Sequence, residues 1–514
     1  MNCAKYQDFE IPDSKLATAL DVLGESGNWV VQNAEEVERT YFDTFDWRIY
    51  HHGWILYRES SSLAGRPIGE FDRYETIPVR NDPIWPADLK DGDLKKELLG
   101  VCKERRLFPK LTCHLETKLY HLCDALDKTR LRLQVDRFRH DEEDEAWVRL
   151  RFKPLLGYEK SLKSSLATLK KAGFKPTHSD LAGNLFKYCK RDLRPSKERL
   201  RLSIPEGQSL QWAIAKQLRR LKDEFMRQVP GIEADWDVEF LHQFRVAIRW
   251  SRALLSTFKK HLPEVELETS STILRHWGKR TNALRDLDVL LLDRAHYTSL
   301  LPEAIGPALK PFFDGLTQRR KDVHRALVQD LQSPGFESDM HNLSGQYRRM
   351  GQHFTAGFDS HSELLDQVQA RLTNRYRKMM KLLKTCLDGA HESQLHRLRI
   401  QAKKLRYVLA TFQTLFDEKP FRKGIRALKK VQKILGNRHD LEWQRGTMLN
   451  ASTPSQNPDL TMDSRLAIAM LAGVIHANHR QSWASVEQVG VVLKHQRLRA
   501  LLRHPDLHFT EDHA

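Results

Sequence analysis

The spacing of apolar residues changes along the chain. Before about residue 195 they alternate with charged residues in short runs, as in Trp54–Arg58, Arg130–Val135 and Trp147–Phe152. Alternation with a period of two predicts strands with one face in a core and one face in water. Ser161–Ala172 instead places Leu162, Leu166 and Leu169 at helical spacing, and Gly173 stops that helix. Arg191–Leu200 is charged and broken by Pro195, which makes it the candidate linker. Beyond it the apolar period becomes helical: Leu210, Ile214, Leu218 and Leu221, then Leu241, Phe244, Ile248 and Leu255. Proline and glycine fall between these runs, at Pro230-Gly231, Gly306-Pro307 and Pro334-Gly335 and in the loop 452–458. The pattern predicts an α+β multidomain chain, with a strand-rich domain over 1–195 and an all-helical domain over 205–502. A chain of 514 residues is too long for one core, which agrees with two or three domains.

A cationic segment occurs twice within the helical domain. The first copy places His242, Arg245, Arg249 and Arg252 at the spacing that His396, Arg399, Lys403 and Arg406 repeat. The offset is 154 (396 − 242), and it also relates Asp286 to Asp440 (440 − 286). One offset across separated blocks predicts a duplicated structural unit, with halves at about 205–345 and 360–500. At ~100° per residue each set of four falls within ~80° on a helix. Each segment is therefore an amphipathic helix with a positive wet face.

The surrounding charge strengthens this picture. From His396 to Arg438 there are thirteen Lys or Arg against Asp417 and Glu418, a balance of +11 (13 − 2). From His242 to Arg285 the balance is +6 (9 − 3). Arg422, Lys423, Arg426, Lys429, Lys430 and Lys433 form a second row, followed by Arg438. Arg275, Lys279, Arg280 and Arg285 are its counterpart in the first half, and Lys404 adds to the second copy. Like charges three and four residues apart weaken an isolated helix, so these rows call for an anion. Arginine offers phosphate a planar pair of donors, and lysine a mobile point charge. The whole chain carries +17 with a pI near 9.5, which points to a polyanionic partner.

Residues from about 205 to 500 resemble the CHAD family, the conserved-histidine α-helical domain. The resemblance rests on Leu241–Arg252 with Arg285-Asp-Leu-Asp288, and on Leu395–Tyr407 with Leu435–Leu441. It implies two pseudo-symmetric four-helix bundles whose basic surface binds inorganic polyphosphate. The residues named above, from His242 to Arg438, are the expected polyphosphate contacts.

The first ~200 residues resemble a divergent CYTH domain, the triphosphate-tunnel fold, through Tyr41–Asp46 and His52–Arg58. This implies a closed antiparallel barrel with charged residues pointing inward. Active members open on an ExExK strand whose acids hold a divalent metal. The matching strand here is Ala4–Pro12, in which both carboxylate positions are lost and the lysine position is Asp8. A later strand that normally offers glutamates reads Trp147-Val-Arg149-Leu-Arg151-Phe-Lys153. Guanidinium groups repel a metal and have no acceptor atoms. The expectation is a catalytically degenerate barrel with no catalytic residues, metal or cofactor. Arg58, Lys118, Arg130, Arg132, Arg149, Arg151 and Lys153 are its candidate anion-lining cations, and Glu142–Glu145 is read as a turn.

Other classes find no support in the sequence. There is no P-loop, no GxGxxG after a strand, no HExxH and no GxSxG elbow. The six cysteines form no CxxC pair, which suits a reducing compartment and offers no zinc site. No apolar run is long enough to span a bilayer, and the N-terminus has no apolar signal region, so a cytoplasmic location is expected, on polyphosphate granules. The leading reading is polyphosphate binding. A metal-dependent inorganic triphosphatase is the second reading and a nucleic-acid-binding protein the third.

Overall fold

A computed structural model describes residues 6–494 apart from 69–74, 80–83, 104, 142, 144, 178–180, 195, 353–360, 388–391, 417 and 456. Residues 4 and 5 of the first predicted strand, 142 and 144 of the acidic turn and the last predicted helical residues, 495–502, lie outside these. The chain divides into two units, Met1–Pro195 and Ser196–Ala514.

The first unit is a nine-stranded antiparallel sheet. Its strands are β1 (Gln7–Pro12), β2 (Asn28–Asp43), β3 (Trp54–Glu59), β4 (Ser62–Pro67), β5 (Glu75–Pro78), β6 (Phe108–Cys123), β7 (Thr129–Arg139), β8 (Trp147–Pro154) and β9 (Pro176–Thr177). They lie in the order β5-β4-β3-β2-β6-β7-β8-β1-β9. The three alternating runs of the sequence are in β3, β7 and β8. The expected closed barrel is corrected: among the described residues β5 and β9 are two ends that do not pair, so the sheet is open. Closure needs matched edge strands, and these have four and two residues.

Helices α1 (Leu16–Gly24), α2 (Arg48–His51), α3 (Asp93–Cys102), α4 (Glu159–Lys171) and α5 (Leu181–Tyr188) accompany the sheet. α4 forms where the leucine period predicts it, and Gly173 beyond its end adopts φ +89°, a conformation that favours glycine. One face of β1, β7 and β8 packs Phe9, Leu133, Leu150 and Phe152 against Leu23 of α1 and Leu169 of α4. The motif Tyr41–Asp46 has a structural role. Buried Asp43 accepts the backbone N–H groups of Thr44, Ile49 and Tyr50, which caps the turn into α2.

The second unit is helical among its described residues. It comprises α6 (Ser196–Arg199), α7 (Leu210–Met226), α8 (Val229–Glu233), α9 (Val238–Phe258), α10 (Glu264–Arg280), α11 (Asn282–Leu292), α12 (Arg294–Ser299), α13 (Lys310–Leu331), α14 (Pro334–Gln352), α15 (His361–Leu387), α16 (Glu392–Thr411), α17 (Glu418–Ser452), α18 (Met462–Gln481) and α19 (Trp483–Lys494). Among the described residues, no helix is long and apolar enough to cross a membrane.

Both cationic repeats are helices, α9 and α16. Asp237 caps α9 by accepting the Glu239 N–H at 2.8 Å. Phe240, Phe244, Ile248 and Leu255 of α9 enter the core, as do Leu395, Leu398, Ala402 and Leu405 of α16. The two helices pack directly on each other. Trp250 of α9 stacks on Tyr407 of α16, with ring centres 5.4 Å apart, and its indole N–H donates to Thr411 Oγ1 at 2.8 Å. An aromatic plate and one half-buried hydrogen bond thus fix where the two repeats meet.

Candidate functional site

Beside this crossing lies a cavity of about 520 Å³. α9 supplies Arg249 and Arg252, the turn after it Lys259, and α10 Arg275. α16 supplies His396, Arg399, Lys403 and Lys404. Eight cationic or titratable side chains therefore line one space, together with Ser256, Ser271 and Tyr407. Among the described residues, Asp440 is the one carboxylate paired with a cation of this lining, 3.5 Å from Arg399.

The electrostatics record this shortage of anions. Burial, then Arg399 and Arg249, push the Lys403 ammonium down to about 7. Burial also lowers Lys404, with Arg375 and Arg252 adding to it. Arg252 and Arg399 shift downward for the same first reason. His396 lies against His439, with ring centres 4.7 Å apart. Burial holds both rings below the ordinary histidine range, and Arg399 lowers them further. Each of these shifts marks a charged form that lacks solvation.

Of the eighteen residues named from the sequence, seven line the cavity: Arg249, Arg252, Arg275, His396, Arg399, Lys403 and Lys404. The others lie elsewhere. Arg245 is turned into the fold and donates to Gly278 O at 3.0 Å, Thr281 Oγ1 at 2.6 Å and Asn282 Oδ1 at 2.8 Å. Arg280 pairs with Asp330 and donates to Ala326 O. Arg438 is buried, pairs with Glu392 and donates to His479 O at 2.9 Å. These three arginines hold helices together. His242 and Arg285 are half-buried outside the lining, and Arg406 lies over the Tyr407 ring at 4.9 Å. Lys279, Arg426, Lys429, Lys430 and Lys433 lie outside the lining as well, the last four along α17.

Lys259, His439 and Arg375 were not singled out by the sequence. Arg375 of α15 donates to Thr257 Oγ1 at 2.6 Å and Gln401 Oε1 at 3.1 Å, which ties α15 to both repeats. The repeat gives no signal for it or for Lys259. Their counterparts at the 154-residue offset are Leu221 and Gln413.

The sheet unit has its own charged cavity, of about 390 Å³. Arg132, Arg149, Arg151 and Lys153 line it, and so do Arg39 and Arg66, which the sequence reading did not name. Arg58, Lys118 and Arg130 do not line it. Arg58 lies over the Phe42 ring, Lys118 pairs with Glu116 and Arg130 with Asp124. β1 keeps two acids outside the carboxylate positions of ExExK, Asp8 and Glu10. Asp8 and Glu10 stand directly opposite Arg151 and Arg149 on one face of the sheet. Each acid is engaged by a donor. Arg151 donates to Asp8 at 2.8 and 2.9 Å, and Asn184 donates to both Glu10 oxygens at 2.8 Å. Arg149 Nε donates to Asp136 at 2.9 Å. Burial alone would raise Asp136, but Arg149, Gln134 and Thr117 hold it below the ordinary carboxylate range. Guanidinium and amide donors thus take up the carboxylate oxygens on this part of the sheet. Among the described residues no group of His, Cys, Asp or Glu is arranged to hold a metal ion.

Comparison with known proteins follows this geometry. The CHAD domain family model matches residues 213–449. The crystal structure of the CHAD domain from the plant Ricinus communis is similar at 23% identity, covering 57% of this chain and 94% of that one, with a TM-score of 0.49. PptA from Streptomyces chartreusis is similar at 16% identity, covering 56% of this chain and 100% of that one, with a TM-score of 0.41. No curated protein matches. The helical unit, with its two cationic repeats on α9 and α16, carries a CHAD domain over residues 213–449.

Proposed function

We propose that the helical unit binds inorganic polyphosphate in the cavity between α9 and α16. One observation carries this reading: eight cationic or titratable groups from two repeats and their neighbours line one space, with a single paired carboxylate among the described residues. Phosphate oxygens accept charge-assisted hydrogen bonds from Arg249, Arg252, Arg275, Arg399, Lys403 and Lys404, and counterions are released. The Tyr407 ring of the lining is already taken up by Trp250 and Arg406 and is not open for stacking a base, which favours a plain phosphate polymer over nucleic acid. The two repeats fit a pair of pseudo-symmetric four-helix halves, and an association with polyphosphate granules follows from the ligand. The cationic row on α17 offers further contacts to a long polymer. Binding of short and long polyphosphates titrated with salt tests the reading. With about six contacts the log–log slope is expected near ~−4, with tighter binding of longer polymers. Affinity independent of length, or a preference for RNA or DNA in competition at physiological salt, would overturn it.

Binding is expected to take up protons. In the free protein Lys403 titrates near 7, and His396 and His439 are held below their ordinary range. A polyanion favours the charged form of each, so their pKa values rise on binding. Affinity therefore strengthens as pH falls through neutrality and weakens as it rises, by up to about tenfold per pH unit for each proton taken up. Calorimetry in buffers of different ionisation enthalpy reads the uptake directly, and zero net uptake at pH 7.5 would count against these roles.

We propose that the sheet unit is an open-sheet, divergent relative of the CYTH type that binds anions without hydrolysing them. Its acids Asp8, Glu10 and Asp136 are already engaged by Arg151, Asn184 and Arg149, so they are not bare for Mg²⁺. Phosphate release from tripolyphosphate is expected to stay at background with Mg²⁺ or Mn²⁺. Robust turnover lost on substituting Arg149 or Arg151 would restore the triphosphatase reading.

A further inference from the structure

Among the described residues, the outer face of α18 packs against nothing in its own unit. The inner face buries Ala467, Ile468, Leu471, Ala472 and Ile475 in a core shared with α13 and α17. Opposite it, Met462 is 79% exposed, Leu466 58% and Met470 37%. Ala469, Gly473, His476 and Arg480 continue the exposed stripe. A surface helix normally places charge on such a face. Here it runs for five turns with charge at its two ends alone, Asp463 and Arg480.

Gly473 sits near the middle. Glycine inside a helix costs about 1 kcal/mol relative to alanine. Packing among the described residues gives no reason for it, because a Cβ at Gly473 would meet nothing of theirs within 4 Å. A small residue on an open face has a physical use when another backbone must come close.

The order of residues identifies that other backbone. The stripe consists of positions 462, 466, 469, 473, 476 and 480. At ~100° per residue these fall within ~80° of one another. They are also symmetric about position 471, since 462 and 480, 466 and 476, and 469 and 473 are equidistant from it. An antiparallel copy of the helix therefore meets the stripe in register. Ala469 faces Gly473 at the crossing point, where two small residues allow close approach. Leu466 faces His476. Met462 lies along the aliphatic stem of Arg480, whose guanidinium reaches the exposed acids Asp459 and Asp463 at the other end of the helix. Small residues lie at the centre, apolar ones flank them and opposite charges close both ends. This is the self-complementary arrangement that a two-fold contact requires.

We propose that the outer face of α18 is a homodimer interface, formed by antiparallel pairing with α18 of a second copy about a two-fold axis that passes beside Ala469 and Gly473, at the level of position 471. One helix crossing buries less than a standard interface, so the dimer is reversible, with a Kd in the micromolar range.

The test is sedimentation of the full-length chain from about 1 to about 100 µM. The wild type is expected to pass from monomer to dimer over this range. Gly473→Leu fills the crossing point and should abolish the dimer. Arg480→Glu should weaken it at least about tenfold, and adding Asp463→Arg should restore it. Both single substitutions are at exposed positions, and unchanged circular dichroism establishes that the monomer remains folded. A wild type that stays monomeric to the highest concentration overturns the proposal. So does a dimer that persists unchanged in Gly473→Leu and Arg480→Glu.

Discussion

Replacing Arg249 by glutamine and Lys403 by methionine together is expected to weaken polyphosphate binding by about a hundredfold and, in the same variant, to make the free protein more stable. Each substitution removes a charge-assisted contact worth roughly 1.5–3 kcal/mol, so a hundredfold loss is a conservative sum. The stability gain follows from the same geometry. Arg249 and Lys403 hold the same place in the two repeats, and both line the one cavity. Burial first, and then the crowding of Arg399 and Arg249, push Lys403 down to about 7. Its folded value lies below its unfolded one, so the charged form costs stability at pH 7 and below, and the cost fades as pH rises from about 7 toward the ordinary lysine range. Methionine fills the volume without the charge, and replacing a buried cation in this way stabilises by ~1 kcal/mol or more. Affinity by fluorescence titration and the thermal midpoint of the free protein check the two halves. A structural role for these side chains would move both downward, whereas a binding role separates their signs.

Asp136→Ala is expected to destabilise the sheet unit by about 3–5 kcal/mol, because it leaves Arg149 as a buried charge without its counterion. Asp136 is fully buried and Arg149 is 5% exposed. Asp136 also accepts from Thr117 Oγ1 and Gln134 Nε2, both at 2.8 Å, so one carboxylate joins β6, β7 and β8. Hydrogen exchange should quicken in β7 and β8 first, since the pair spans that ladder. The double variant Asp136→Leu with Arg149→Met should recover much of the loss, because a matched apolar pair carries no desolvation cost. Recovery separates an ion pair kept for anion binding from one the fold itself requires. A fully stable single variant would show that water reaches Arg149.

Several features of this protein follow from local rules. Strand runs in β3, β7 and β8 and the α4 helix form where the apolar period places them. Arg245 and Arg438 are different, because the sequence gives them the same standing as Arg249. Arg245 belongs to the first cationic segment and Arg438 follows the row behind the second, and both turn inward to hold backbone carbonyls. Nothing in the spacing distinguishes an arginine facing Gly278 O from one facing a cavity. The acids of β1 pose the same problem in reverse. Asp8 and Glu10 do not fit the expected ExExK, yet the pairing of β1 with β8 sets them against Arg151 and Arg149.

The chain by itself determined the repeated cationic segment, the helical period and the excess of cations, because each is a relation among residues close in sequence or repeated at one offset. Tertiary structure decided which cations act together. Arg249 and Lys403 are 154 positions apart, and they share a cavity because Trp250 stacks on Tyr407 where α9 crosses α16. Helical periodicity fixes the angle of a side chain about its own axis. Where two axes cross depends on the packing of both cores, and that crossing selects the few charges left facing the same space.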